Sequence, residues 1–212
     1  MGLPVFIVGE SGSGKSSSLR NYKNGEIGII NVASKPLPFK SDMTPYNLSK
    51  EAKKKNCSRY ALTKSVLAKS KSIKSFVIDD SQYLLSFDSF DKAKETGYGK
   101  FTDMAVNFKN LIDFCINDLE DDKIVYFFHH CETTESGKMK AKTIGRMLDS
   151  QLTLEGLFAI VLYCVADGQN HKFITQSDGT TTAKSPIGMF EKEIDNDLKI
   201  VDAAIREYYD LK

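Results

Sequence analysis

The octapeptide Gly9-Glu10-Ser11-Gly12-Ser13-Gly14-Lys15-Ser16, set directly behind the apolar run LPVFIV at 3–8, constrains this chain more than any other stretch. A short apolar run bounded by glycine reads as a buried parallel strand. The spacing G-x-x-x-x-G-K-S has a mechanism only between such a strand and a helix, and residues 15–21 are expected to open that helix. Glycines let successive backbone N–H groups turn inward with no Cβ in the way. A helix N-terminus adds a partial positive charge. The expected phosphate cradle is Gly9, Glu10, Ser11, Gly12, Ser13, Gly14, Lys15, Ser16 and Ser17. Lys15 is placed to reach β- and γ-phosphates and the Ser16 hydroxyl to ligate Mg²⁺. The motif implies a P-loop nucleoside triphosphatase that takes ATP and Mg²⁺. The bland alternative, a glycine-serine turn with a chance lysine, has the strand context against it.

Apolar runs recur along the chain. IGIINV (27–32), SFVI (75–78), KIVYFF (123–128) and LFAIVLYCV (157–165) read as further buried strands. Between them, 48–72 reads as one or two amphipathic helices and 101–119 as a helix with apolar positions at Met104, Ala105, Phe108, Leu111, Ile112, Cys115 and Ile116. The proline-bearing stretch 33–47 and the polar stretches 86–100 and 132–143 read as loops, and 193–211 as a terminal helix. Asp167-Gly168 and Asp178-Gly179 are turn signals, with 172–176 and 180–183 as candidate partners in a C-terminal β-hairpin. Strands alternating with helices predict an α/β fold, a mostly parallel central sheet flanked by helices on both faces. No repeat or linker suggests a second domain, so 1–212 reads as one.

The ends of these strands hold the remaining candidate chemistry. Asp79-Asp80 follows a strand-like run, where an acid beside the phosphate loop can hold Mg²⁺ through water; that role falls to Asp79. Asp80 is the candidate to orient or activate the attacking water. An N-cap with a surface charge is the competing reading of the pair. His129-His130 ends the fourth strand, and ligands bind beyond the carboxyl ends of parallel strands. Alternation allows one of the two to face the ligand, and His130 is the choice as a γ-phosphate sensor. A pair of half-exposed histidines is the alternative.

Charge excludes some partners and admits others. Lys and Arg total 29 and Asp and Glu 28, a net charge of +1, so nucleic-acid affinity must come from a local patch. Residues 35–75 carry eleven basic and two acidic residues, and Lys138, Lys140, Lys142 and Arg146 form a second cluster. Solvated lysine-rich faces compete with contacts to a phosphate backbone. Lys142 or Arg146 is also a candidate finger into a neighbouring subunit's ATP site. Cysteines 57, 115, 131 and 164 lack C-x-x-C spacing, which predicts reduced thiols rather than a disulfide or zinc framework. The N-terminus opens into a strand rather than a signal peptide. Phe6 stands where a myristoylation site needs Ser or Thr. No apolar stretch nears the roughly 18 residues of a membrane span. A reducing cytoplasm is the expected location.

IGIINV, FVIDDSQY, GYGKFTDMAVN, YFFHHCE, KTIGRMLD and TTAKSPIGMF, together with the glycine-rich loop, resemble the small RecA-like ATPases encoded by bacteriophages. These are core-only RecA/Rad51-type proteins associated with single-strand annealing and recombination. The resemblance runs from about 3 to 210. It implies a single RecA-like ATP-binding domain whose fourth strand lies between the loop strand and the Asp79 strand, placing His130 beside both phosphate-binding elements. It also implies that the stretches 86–100 and 132–143 are DNA-binding loops, that single-stranded DNA is the partner, that self-association through the ATP site is available, and that the host-cell cytoplasm is the location. One departure stands out. RecA-type enzymes place a catalytic glutamate just after the second strand, and here Asn31-Val32-Ala33-Ser34-Lys35 holds no acid. Either Asp80 takes the role or turnover is slow.

Other functions fit less well. Nucleotide kinases place several arginines over the transferred phosphate, and this chain has four in all: Arg20, Arg59, Arg146 and Arg206. A GTPase needs an N-K-x-D segment, which is missing. An ATP-binding accessory protein with little turnover is the non-enzymatic alternative.

Overall fold

Two periodicities shape the sheet: near-continuous apolar strands that must be covered on both faces, and helices with a single apolar stripe to cover them. The computed structural model describes residues 1–145, 147–148 and 152–212. In chain order the elements are β1 (Leu3–Gly9), β2 (Gly28–Asn31), β3 (Tyr46–Asn47), α1 (Leu48–Lys55), α2 (Arg59–Lys69), β4 (Ser75–Asp79), α3 (Gln82–Asp91), α4 (Gly99–Asn117), β5 (Ile124–Thr133), β6 (Met139–Ala141), β7 (Ile160–Asp167), β8 (Asn170–Ile174), β9 (Glu193–Asp195) and α5 (Leu198–Tyr208). Among the described residues nine strands form one mixed sheet in the order β3-β2-β4-β5-β1-β7-β8-β9, with β6 paired to the outer end of β5. The strands from β3 through β7 run parallel, while β8, β9 and β6 are antiparallel.

The fourth apolar strand, β5, therefore lies between β1 and β4, the order expected above. Alternation splits the core in two. Phe6, Val8, Ile30, Phe76, Ile78 and Phe127 point to the face covered by α1 to α4. Val5, Ile7, Ile29, Val77, Tyr126 and Phe128 point to the face covered by α5 and the turn that holds Leu19 and Tyr22. The α4 stripe of Met104, Ala105, Phe108, Leu111, Ile112 and Cys115 is buried as its period requires. Removing such side chains from water stabilises by roughly 1.5–3 kcal/mol for each large one.

Five local expectations give way to tertiary or side-chain effects. The helix predicted over 15–21 is a single 3₁₀ turn, Ser16–Leu19. Three serines occupy it, and the Ser18 hydroxyl bonds the Lys15 carbonyl at 2.6 Å, competing with the helical pattern. The stretch 86–100, read as a loop, continues α3 to Asp91 and begins α4 at Gly99. Leu84 and Leu85 are buried, and Tyr83 stacks on Phe87 one turn later. The stretch 132–143, also read as a loop, is an arm: β5 runs to Thr133 and β6 returns, with Gly137 in the left-handed region at the turn. The C-terminal hairpin exists with a different partner, since β8 pairs with β7 across Gly168 and its other edge takes β9, not residues 180–183. Residues 193–195 are strand, and α5 starts only at Leu198, where the Asp197 side chain accepts from the Lys199 amide.

Candidate functional site

Register brings the site together. Gly9 at the end of β1 pairs with His130 on β5, and Asn31 on β2 pairs with Asp79 on β4. All four stand at the carboxyl end of the sheet, where the loop after β1 closes over a cavity of about 210 Å³. Ser11, Gly12, Gly14, Lys15, Ser16, Ser17, Lys35, Pro36, Pro38, Asp79, Asp80 and His130 line it.

Gly12 and Gly14 take φ of 82° and 100°, and the Ser13 amide closes a turn onto the Glu10 carbonyl. Among the described residues no acceptor takes the amides of Gly12, Gly14, Lys15 or Ser16. The Ser13 hydroxyl is buried without a partner. Two glycines are required by contact: a Cβ on Gly9 would meet the Cys164 carbonyl at 2.5 Å, and one on Gly14 would meet the His171 ring at 2.7 Å. The Lys15 ammonium is stowed across the loop, donating to the carbonyls of Gly9 at 2.7 Å and Glu10 at 2.8 Å. Burial pulls its pKa down, with Cys164 and the two aspartates opposing.

At the end of the loop, the Ser16 hydroxyl donates to Asp79 Oδ1 at 2.9 Å. Burial pushes the Asp79 carboxyl up to about 6, Asp80 adds to the shift, and the Ser16 bond offsets part of it. The Ser16 hydroxyl would ligate Mg²⁺ here, and the Asp79 carboxylate would hold it through water. No group of three or more His, Cys, Asp or Glu among the described residues forms a metal site by itself.

Asp80 turns out of β4 with φ of 62°, a left-handed conformation that aspartate tolerates. The turn carries its carboxylate to two donors: Lys35 Nζ reaches Oδ2 at 2.7 Å and His130 Nε2 reaches Oδ1 at 3.1 Å. Burial alone would raise the Asp80 pKa, but the His130 and Lys35 bonds outweigh it and hold the carboxyl below its ordinary range. A carboxylate with both oxygens engaged and a depressed pKa is a poor proton acceptor.

The adjacent histidines part company. His130 lines the cavity, edge-on to Tyr83. His129 is fully buried between Phe6 and Phe108. Its Nε2–H donates to the Lys142 carbonyl at 2.8 Å and its Nδ1 accepts from the Ser81 hydroxyl at 3.0 Å. Burial drives its pKa down to about 3.

The basic candidates are distributed differently from their sequence clusters. Lys138 is exposed at the turn of the β5–β6 arm, Lys140 on β6 pairs with Glu132 at 3.3 Å, and exposed Lys142 follows β6. Arg146 lies outside the described residues. In the first cluster, Arg59 pairs with Asp91, Lys74 with Asp122 and Lys35 with Asp80.

Three further contributors carry no signal in the sequence. Lys35 is there one charge among many, yet it enters the cavity. Cys164 Sγ and His171 Nδ1 both donate to the Ser13 carbonyl, at 3.0 and 2.8 Å, from β7 and β8. Asn196 in turn donates to Cys164 Sγ and accepts from Arg20. No local motif marks these residues; only sheet order brings them to the loop. Among the described residues no helix is long and apolar enough to cross a membrane.

The class defined at this point is an α/β protein with a mostly parallel mixed sheet and a cavity at its carboxyl edge. No protein-family model and no curated protein matches the chain.

Proposed function

We propose that this chain is a RecA-like P-loop ATPase that binds Mg²⁺–ATP and acts on single-stranded DNA in recombination or replication, as a phage-encoded core-only protein would. One observation carries the nucleotide reading: Gly12, Gly14, Lys15 and Ser16, whose amides have no acceptor among the described residues, line the same cavity as the Ser16–Asp79 oxygen pair. The amides and Lys15 suit the phosphate chain, and the oxygen pair suits the ion that neutralises it. Ser16 and Asp79 would hold Mg²⁺, which would neutralise phosphate charge there. Asp80 holds Lys35 and His130 in place, and His130 stands beside the loop as a sensor of the terminal phosphate.

The DNA reading is supported by the β5–β6 arm, which projects Lys138 and Lys142 from the strand that carries His130. Ordering of the arm by DNA is then coupled to the phosphate site through a few residues of β5. A second reading, an ATP-binding switch with little turnover, is favoured by Asp80, whose oxygens are both occupied. Measuring ATP hydrolysis with and without single-stranded DNA separates the two. A several-fold stimulation supports the DNA-dependent ATPase, and slow, DNA-indifferent hydrolysis with intact ATP binding supports the switch. Failure to bind ATP at all removes both.

A further inference from the structure

We infer that Lys35 is a second phosphate-binding cation, the residue that makes this site prefer a nucleoside triphosphate over a diphosphate. The inference rests on the nucleotide reading above and assigns a further lining residue of the same cavity.

Residues of the 9–16 loop, Lys15 among them, line that cavity together with Lys35, Asp80 and His130, and the last three are bonded to one another. A phosphate group beyond those cradled by the loop enters a space faced by the Asp80 carboxylate, which repels it unless it is masked. Masking is what the geometry provides, with Lys35 on Oδ2 at 2.7 Å and His130 on Oδ1 at 3.1 Å. The two donors differ in what remains to them. A carboxylate only accepts, so His130 spends its Nε2–H on Asp80 and reaches a phosphate only by giving up that bond. Lys35 carries three N–H donors and spends one on Asp80, so it can bridge the carboxylate and a phosphate oxygen at once. Its ammonium also sits 5.0 Å from the centre of the Tyr83 ring, which steers it without taking a hydrogen.

The loop bearing Lys35 is held for this purpose. The Asn31 side chain donates to the Lys35 carbonyl at 2.5 Å, Ser34 adopts φ of 60°, and Pro36 and Pro38 stiffen the chain on its C-terminal side. The side chain itself is 56% exposed, so it reaches the cavity from solvent and can follow an incoming phosphate. This is the stretch where the resemblance leads one to expect an acid; a cation there grips the charge instead.

The test is titration calorimetry in Mg²⁺ on the full chain and on Lys35→Met and Lys35→Arg, with ADP and the β,γ-imido analogue of ATP as probes. Melting temperatures serve as a folding check. Losing a charge-assisted bond to phosphate and unmasking Asp80 should weaken the triphosphate analogue roughly tenfold in Lys35→Met. ADP affinity should change less than about twofold, and Lys35→Arg should keep most of the triphosphate preference. Equal losses for both nucleotides, or none, overturn the assignment while leaving the nucleotide reading intact. A wild-type chain that binds neither probe overturns the nucleotide reading and this inference with it.

Discussion

Asp79 is a carboxylate held in a place that disfavours its charge. It is 7% exposed, with Asp80 next to it, and its pKa is raised from 3.8 to about 6. A raised acid pKa means that the folded state binds a proton more tightly than the unfolded chain. The metal-free fold is thus favoured at low pH and loses stability as pH rises from about 4 through about 6. The shift corresponds to roughly 3 kcal/mol at most. Asp79→Asn, in the absence of Mg²⁺ and nucleotide, is expected to stabilise the fold by about 1–3 kcal/mol at pH 8, with the gain gone by about pH 4. Urea denaturation at the two pH values checks this, and a variant that is less stable at pH 8 contradicts it. His129 contributes the opposite trend: buried as a neutral ring, it costs stability as pH falls from 6.5 towards about 3. Neighbours on one strand thus differ because alternation sends one side chain into the aromatic core and the other into the cavity.

At the element scale the β5–β6 arm is the feature to test. Its main chain is tied to the site, with the Lys142 amide donating to the His130 carbonyl and the Lys142 carbonyl accepting from the His129 ring. Its side chains at Lys138 and Lys142 are exposed, whereas Lys140 is drawn to Glu132. Charge reversal of both exposed lysines, Lys138→Glu with Lys142→Glu, should weaken single-stranded DNA binding and lower its salt slope by about 0.7 for each phosphate no longer engaged. Nucleotide affinity should stay within about twofold. Fluorescence anisotropy across a salt series reads the first quantity and calorimetry the second; an unchanged salt slope removes the arm from the DNA surface. The arm is not legible in the sequence because its apolar content is low and its register is set by pairing to β5, which no local pattern encodes. The α3 helix is hidden for a related reason: polar residues at Ser86 and Asp88 obscure a stripe that Leu84, Leu85 and Phe87 supply.

For the whole molecule, a ligand that binds only the folded chain raises its stability by mass action. With Mg²⁺–ATP at about a hundred times Kd, the gain is about 2.7 kcal/mol, or roughly 5–10 °C in melting temperature for a chain of this size. Lys15→Ala should abolish that shift in a thermal melt, and a variant that keeps it contradicts the role given to Lys15. The positive excess over 35–75 also takes its meaning at this scale. Ion pairs with residues distant in sequence neutralise part of it, through Arg59 with Asp91, Lys74 with Asp122, and Lys35 with Asp80. The primary structure by itself determined the strand runs, the α/β class and the glycine-rich loop, because apolar periodicity and glycine's freedom at positive φ act over a few residues. It also placed Asp79 and Asp80 at a strand end; it ended the fourth strand at His130, whereas β5 runs on to Thr133. Tertiary structure decided which of two histidines meets the cavity, that Lys35 locks Asp80, and that β7 and β8 brace the loop through the Ser13 carbonyl. Those outcomes depend on strand order and register, which are set by how the two faces of the sheet bury their side chains against distant helices.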